Sequence, residues 1–155
     1  MIQPTVWIPD EVALSLEREA VRKFPSETGG VLLGFVDPDD IGAIQVLSDV
    51  GPGPNAVHLA HRFEPDSGWQ AEKIAAEYRH SGRIATYLGD WHSHPLGGAR
   101  PSRLDRKTAR AIARCRSARI TNPLMLLLAG GPDAWHLAAY RYRRRRLRPL
   151  AVRRE

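Results

Sequence analysis

The sequence predicts an α/β fold, a mixed β-sheet flanked by α-helices, and three observations carry that expectation. Short apolar or β-branched runs interleave with amphipathic stretches along most of the chain. The interleaving lacks strict strand-helix-strand regularity and the Gly-x-Gly-x-x-Gly fingerprint of a dinucleotide fold. A length of 155 residues suffices for one compact core and is short for two.

Residues 5–9 are a β-branched and aromatic run. Asp10 follows where a helix N-cap belongs, with Glu11 in the first turn. Val12, Leu14, Leu16 and Val21, set among charged residues, predict an amphipathic helix ending near Pro25. Residues 31–36 are continuously apolar between Gly29-Gly30 and Asp37-Pro38, which suits a buried strand. A less continuous strand over 41–50 closes on Gly51-Pro52-Gly53-Pro54, a loop by composition.

A further strand is expected over 57–63. Pro65-Asp66 then opens a second helix, with an apolar stripe of Trp69, Ile74, Ala75 and Tyr78, that stops at Ser81-Gly82. Residues 83–91 return as a strand, 95–101 are a loop rich in Pro and Gly, and 102–117 form a third helix. In that helix Leu104, Thr108, Ala111, Ile112 and Cys115 are the expected packing stripe. Residues 124–129 and 134–142 are a strand and its hairpin partner across Gly130-Gly131-Pro132-Asp133.

Charge is distributed unevenly. Eight of the 23 basic residues lie at or beyond Arg141, so residues 1–140 hold 15 basic and 16 acidic groups and are nearly neutral. The rest of the basic excess sits on the third helix. This balance argues against a nucleic-acid enzyme. A lone Cys115 excludes an internal disulfide and a Cys-rich structural zinc site. No stretch reaches the ~20 apolar residues of a membrane span, and residues 1–9 lack a secretory pattern, so the expected compartment is the cytoplasm.

The chemistry concentrates in residues 92–105, His-Ser-His-Pro-Leu-Gly-Gly-Ala-Arg-Pro-Ser-Arg-Leu-Asp. On an extended segment His92 and His94 point to the same face, because side chains alternate with a period of two. Asp105, at the start of the next element, is positioned to supply a third ligand. Three ligands leave a zinc ion one open position, the hallmark of a catalytic site. Such a site lowers the pKa of bound water from ~15.7 toward ~7. Two tasks remain: a base must carry the proton to the leaving amine, and a donor must meet the oxyanion. Glu27 and Ser102 are the candidates. Taken alone, Ser102-Arg103-Leu104-Asp105 is also an ordinary capping box, and Glu27 an ordinary surface acid.

The same stretch resembles the signature of the JAB/MPN (JAMM) zinc metalloproteases: His-x-His, seven residues, Ser-x-x-Asp, with an upstream Glu. Glu27-Thr28-Gly29-Gly30-Val31-Leu32-Leu33-Gly34 resembles the family's Glu-containing segment. The likeness spans roughly residues 5–142. It implies a curved mixed sheet of cytidine-deaminase-like architecture and a metalloprotease domain over 1–142, followed by a basic C-terminal tail at 143–155. It implies one zinc per chain, held by His92, His94 and Asp105, with Glu27 and Ser102 as catalytic groups. The implied reaction is hydrolysis of the amide bond after the C-terminal glycine of a ubiquitin-like protein or conjugated target. Glycine fits because a narrow channel admits a residue without a Cβ most easily.

Tyr87-Leu88-Gly89-Asp90-Trp91-His92-Ser93-His94-Pro95 also resembles bacterial members found with E1-like and E2-like proteins in anti-phage operons of the CBASS or related type. There they reverse conjugation. Trimming of a sulfur-carrier or ubiquitin-like precursor is the alternative, and a non-enzymatic scaffold is a third reading that the intact ligand set opposes. A nucleic-acid-binding tail is a fourth, opposed by the lack of interleaved aromatic residues, and Arg141 to Arg148 read equally as an exposed edge strand protected by charge. His58 and His61 are expected to face opposite sides of a strand and, like His80 and His136, to be structural.

Overall fold

A computed structural model of the chain describes residues 4–40 and 42–155. Residues 1–3, and the start of the strand expected at 41, lie outside them. The elements in order are β1 (Thr5–Ile8), α1 (Asp10–Lys23), β2 (Gly29–Val36), β3 (Ala43–Val50), β4 (Val57–Leu59), β5 (Arg62–Glu64), α2 (Ser67–His80), β6 (Thr86–Pro95), α3 (Arg103–Arg114), β7 (Leu124–Gly131), β8 (Ala134–Arg143) and β9 (Arg146–Arg154). A single 3-10 turn, Arg116–Ala118, follows α3.

The main sheet is mixed and so curved that it closes, in the order β1-β3-β2-β6-β7-β8-β9 with β9 returning to β1. The pairs β1–β3, β1–β9 and β6–β7 are parallel and the others antiparallel. Closure corrects the expectation of a basic tail at 143–155. Arg146–Arg154 is a strand, paired with β8 on one side and β1 on the other. Its Arg-rich composition conceals the alternation, yet Leu150 is buried and Val152 packs on the core. The sheet thus has no exposed edge at this seam.

Alternation along the strands sorts the core into three clusters. Leu32, Leu124, Leu126 and Leu128 face inward, where they meet Val12, Ala13, Leu16 and Ala20 of α1. Val31 and Leu33 face outward against Trp69 and Ile74 of α2, as the stripe of that helix predicts. Met125 and Leu127 face outward against Ala109 of α3, Tyr140, Tyr142 and Leu147. Each fully buried Leu or Ile contributes about 1.5–3 kcal/mol by area. Helix α1 begins at Asp10 with Pro9 as its N-cap, one residue from the expected start, because the Asp10 carboxylate instead accepts from Arg154 of β9 at 2.7 Å.

Residues 57–63 form two short strands of a separate hairpin, where one strand was expected. The chain turns at Ala60-His61, and Gly29 makes room for the hairpin. A Cβ there would press on the Phe63 ring and on the His92 Cβ. The face of β6 is set by a bulge. Opposite Leu32 and Leu33 lie Gly89 and Tyr87, so Leu88 is the extra residue, and Gly89 adopts φ +151° where a side chain would strike the Leu124 carbonyl. The bulge puts both Leu88 and Trp91 inside, three apart, and turns His92 and His94 outward. No helix among the described residues is long and apolar enough to cross a membrane.

Candidate active site

Three elements meet at one end of the barrel. The C-terminal end of β6 carries His92 and His94, the first turn of α3 carries Asp105, and the segment entering β2 carries Glu27. The His92 and His94 Nε2 atoms are 3.1 Å apart. Asp105 places Oδ1 2.9 Å from His92 Nε2 and Oδ2 3.3 Å from His94 Nε2. These three residues form the group able to hold a metal ion among the described residues. Donors about 2.0–2.2 Å from a tetrahedral zinc stand about 3.3 Å from one another, and the separations here, two of them to different oxygens of one carboxylate, are of that size.

The ring of His94 is oriented for ligation. Its Nδ1 lies 2.9 Å from the Gly98 carbonyl, which only accepts, so Nδ1 carries a proton and Nε2 is the nitrogen turned to the common point. The loop that supplies Gly98 is fixed in turn. Leu96 N–H donates to the Gly130 carbonyl at 2.7 Å, and the Tyr140 hydroxyl donates to the Ala99 carbonyl at 2.6 Å. Leu96 adopts φ +59° and is 79% exposed.

Ser102 and Asp105 form the full capping box of α3. The Ser102 N–H donates to Asp105 Oδ2 at 2.6 Å, and the Asp105 N–H donates to Ser102 Oγ at 3.1 Å. One carboxylate therefore caps the helix and faces both imidazoles. Because Ser102 Oγ is the acceptor in this pair, its own proton is free for another partner. Burial of Asp105 opposes its ionisation, yet hydrogen bonds from His92 and His94 hold its carboxyl well below the usual range. His94 is raised, first by its hydrogen bond to Asp105 and then by the Gly98 carbonyl, against the effect of burial.

Glu27 is half-buried, two residues before Gly29, which pairs with His92 across β2–β6. Burial pushes its carboxyl up, and the charges of His92, His94 and His61 pull it back down, while Asp105 adds to the rise. The β4–β5 hairpin grips its backbone: Glu27 N–H donates to the Leu59 carbonyl at 2.8 Å, and His58 Nδ1 lies 3.0 Å from the Glu27 carbonyl. His58 is thus structural, as expected, but its work is to hold Glu27.

A buried network beneath the site escapes a reading of the sequence. The Thr28 N–H donates to Ser93 Oγ at 3.0 Å, the Ser93 N–H returns to the Thr28 carbonyl at 2.9 Å, and Thr28 Oγ1 donates to Glu19 of α1 at 3.0 Å. Thr28 and Ser93 are 0% and 1% exposed, and Arg22 pairs with Glu19 at 2.9 Å. The network ties the residue after Glu27 to the residue between the two histidines. A single small hydroxyl between two ligands is its one trace in the sequence.

The packing face of α3 is corrected as well. Asp105 and Ala109 are buried, with Ile112 and Ala113 beside them, whereas Leu104 is 58% exposed and Thr108, Ala111 and Cys115 are exposed. The expected stripe lies roughly a quarter turn away, at 100° per residue. The helix is rotated because Asp105 must face the histidines.

Two imidazoles and a carboxylate converging on one point, with a raised glutamate alongside, define a metal-dependent hydrolase. The chain belongs to the prokaryotic homologs of the JAB domain, whose family pattern matches residues 9–146. It is similar to the probable metalloprotease y4qB of Sinorhizobium fredii, 38% identical over 131 residues that cover 84% of this chain and 79% of that protein. It is also similar to the CD-NTase/cGAS isopeptidase of Enterobacter hormaechei, 27% identical over 83% of this chain and 69% of that protein. In fold it is similar to the solution structure of protein DSY2949 from Desulfitobacterium hafniense, with TM-score 0.71 at 19% identity over 97% of this chain and 92% of that one. Family and ligand set together make it a metallopeptidase.

Proposed function

We propose that this protein is a zinc-dependent isopeptidase that hydrolyses the amide bond after the C-terminal glycine of a ubiquitin-like protein or its conjugated target. It would act in the cytoplasm and reverse conjugation carried out by E1-like and E2-like partners, in the manner of anti-phage operons. The observation that carries this reading is the convergence of His92, His94 and Asp105, with Glu27 beside them.

His92 Nε2, His94 Nε2 and the Asp105 carboxylate would hold one zinc ion per chain. When bound, the ion supplies Lewis acidity, which makes a water acidic near neutral pH. Glu27 then takes the proton of the attacking water and returns it to the leaving amine. Its upward shift on burial suits both halves of that task. Ser102 donates its free hydroxyl proton to the developing oxyanion. The β4–β5 hairpin, which already bonds the Glu27 backbone, offers strand edge to an extended Gly-Gly tail. Three relatives at 27–28% identity are named CD-NTase/cGAS isopeptidases, which supports isopeptide over general peptide hydrolysis.

The test pairs a Gly-Gly isopeptide conjugate of a ubiquitin-like protein with a linear Gly-Gly fusion. Zinc-loaded protein is expected to cleave the conjugate, with loss of activity in a chelator and recovery on adding zinc. Cleavage of the linear fusion alone would assign precursor processing instead. Zinc-loaded protein that cleaves neither substrate would leave the scaffold reading.

A further inference from the structure

From a basic ridge along α3 that carries no counter-charge, we infer that this protein docks the acidic surface of a folded protein substrate beside its active site. The inference rests on the peptidase reading for the identity of the partner, and on geometry for the surface. Arg103, Lys107, Arg110 and Arg114 recur at helical spacing and lie diametrically opposite the buried Asp105 and Ala109. All four are exposed, and among the described residues none makes a hydrogen bond or ion pair with its side chain. Elsewhere the chain supplies partners: Arg154 bonds Asp10 and Glu17, and Arg22 bonds Glu19. Asp105, turned inward to the histidines, is the sole acid between residues 91 and 132.

A second basic group lies on the barrel, beyond the buried face of α3. Ala109 packs with Tyr142 and Leu147, which pair across β8 and β9, and the next pair is Arg143 with Arg146 at the hairpin tip. The two residues of that tip, Arg144 and Arg145, both hold positive φ, 50° and 63°. Asn-Gly is the ordinary choice for such a turn, so cationic side chains stand there against backbone preference.

The neighbourhood favours protein over nucleic acid as the occupant. Leu104, exposed at the site end of the ridge, gives an apolar contact next to arginines, a composition typical of protein interfaces. Tyr140 and Tyr142 are half-buried against the barrel, so they offer no stacking platform for bases. The ridge also starts two residues from Asp105, so its first residue stands at the site end of α3.

The test uses a small folded domain ending in Gly-Gly with a fluorogenic C-terminal amide, made in an acidic form and in a form neutralised by Asp→Asn and Glu→Gln changes. A short Gly-Gly peptide amide serves as the bodiless control. Zinc-loaded protein is expected to show a KM about tenfold lower for the acidic domain than for the neutral one, a gap that closes in high salt. In the triple variant Lys107→Glu, Arg110→Glu, Arg114→Glu the gap should vanish, with Tm and turnover of the short peptide unchanged. Equal KM for both domains, or a gap that survives in the variant, would overturn the inference. So would preferential binding of a DNA duplex of about 20 base pairs over the acidic domain, measured by anisotropy. If no substrate is cleaved, the peptidase reading fails, and the same anisotropy measurement still decides the docking surface by whether the acidic domain binds the ridge.

Discussion

Helices α1 and α3 use the same barrel in opposite ways. Helix α1 puts Val12, Ala13, Leu16 and Ala20 at 0–4% exposure against the inner face, so it is held by apolar burial. Helix α3 buries Asp105 and Ala109 and leaves most of its surface in water, so a capping box and the contacts of one carboxylate fix its first turn. The element that supplies chemistry is therefore lightly packed, and the stiffness of the site comes from what lies under it. Through Glu19 and Thr28, α1 reaches the base of the site without touching the ligand triangle.

Substitutions in the two helices should separate stability from chemistry. The largest effect is expected at Asp105→Ala, which removes a ligand: kcat/KM should fall on the order of 10³-fold or more and zinc content should drop, as read by metal analysis beside kinetics. Zinc retained at full stoichiometry would contradict the assignment of the third ligand. Leu16→Ala in α1 should cost about 2–5 kcal/mol in denaturant unfolding with kcat of the folded protein intact. If that variant instead lost kcat at full stability, the division between the helices would be wrong.

Ser102→Ala should show both effects at once, about 0.5–2 kcal/mol of stability from the cap and about a hundredfold in kcat from the lost donor. Ser102→Gly separates them: it should recover most of the stability, since glycine is a tolerable cap, and none of the rate.

A smaller effect concerns Glu27 in metal-free protein. Its folded-state pKa is raised by burial, so the fold disfavours the ionised form, and the resulting cost is present at neutral pH and disappears as pH falls below the value of the unfolded chain. Metal-free Glu27→Gln should therefore melt at or above wild type at pH 7, and the difference should shrink toward pH 4. Smallest of all, Lys107→Ala on the solvent side of α3 should change stability by no more than about 0.5 kcal/mol.

How much of this was legible in the sequence depended on how local each cause is. The ligands were readable because His-x-His on a strand and Ser-x-x-Asp at a helix start are each fixed within a few residues. The structure brings both together, with Glu27 alongside. An edge strand was one reading of the arginine run, but not the closure: β9 pairs with β1, some 145 residues earlier, and its arginines disguise Leu150 and Val152 as part of a polar tail. The face of α3 was misread for a related reason. Hydrophobic periodicity favoured Leu104 and Ala111, whereas the helix is turned by the demand that a charged residue, Asp105, point inward. The Glu19–Thr28–Ser93 network joins residues up to 65 apart, and no local pattern encodes it.

The role of Glu27 as proton carrier beside the metal site is tested by Glu27→Gln, assayed for zinc content and for cleavage of a Gly-Gly conjugate in one preparation. The expected result is one zinc per chain, as in wild type, with kcat lowered about 10²–10⁴-fold. Full activity in that variant, or full activity of wild-type protein stripped of metal, would contradict it.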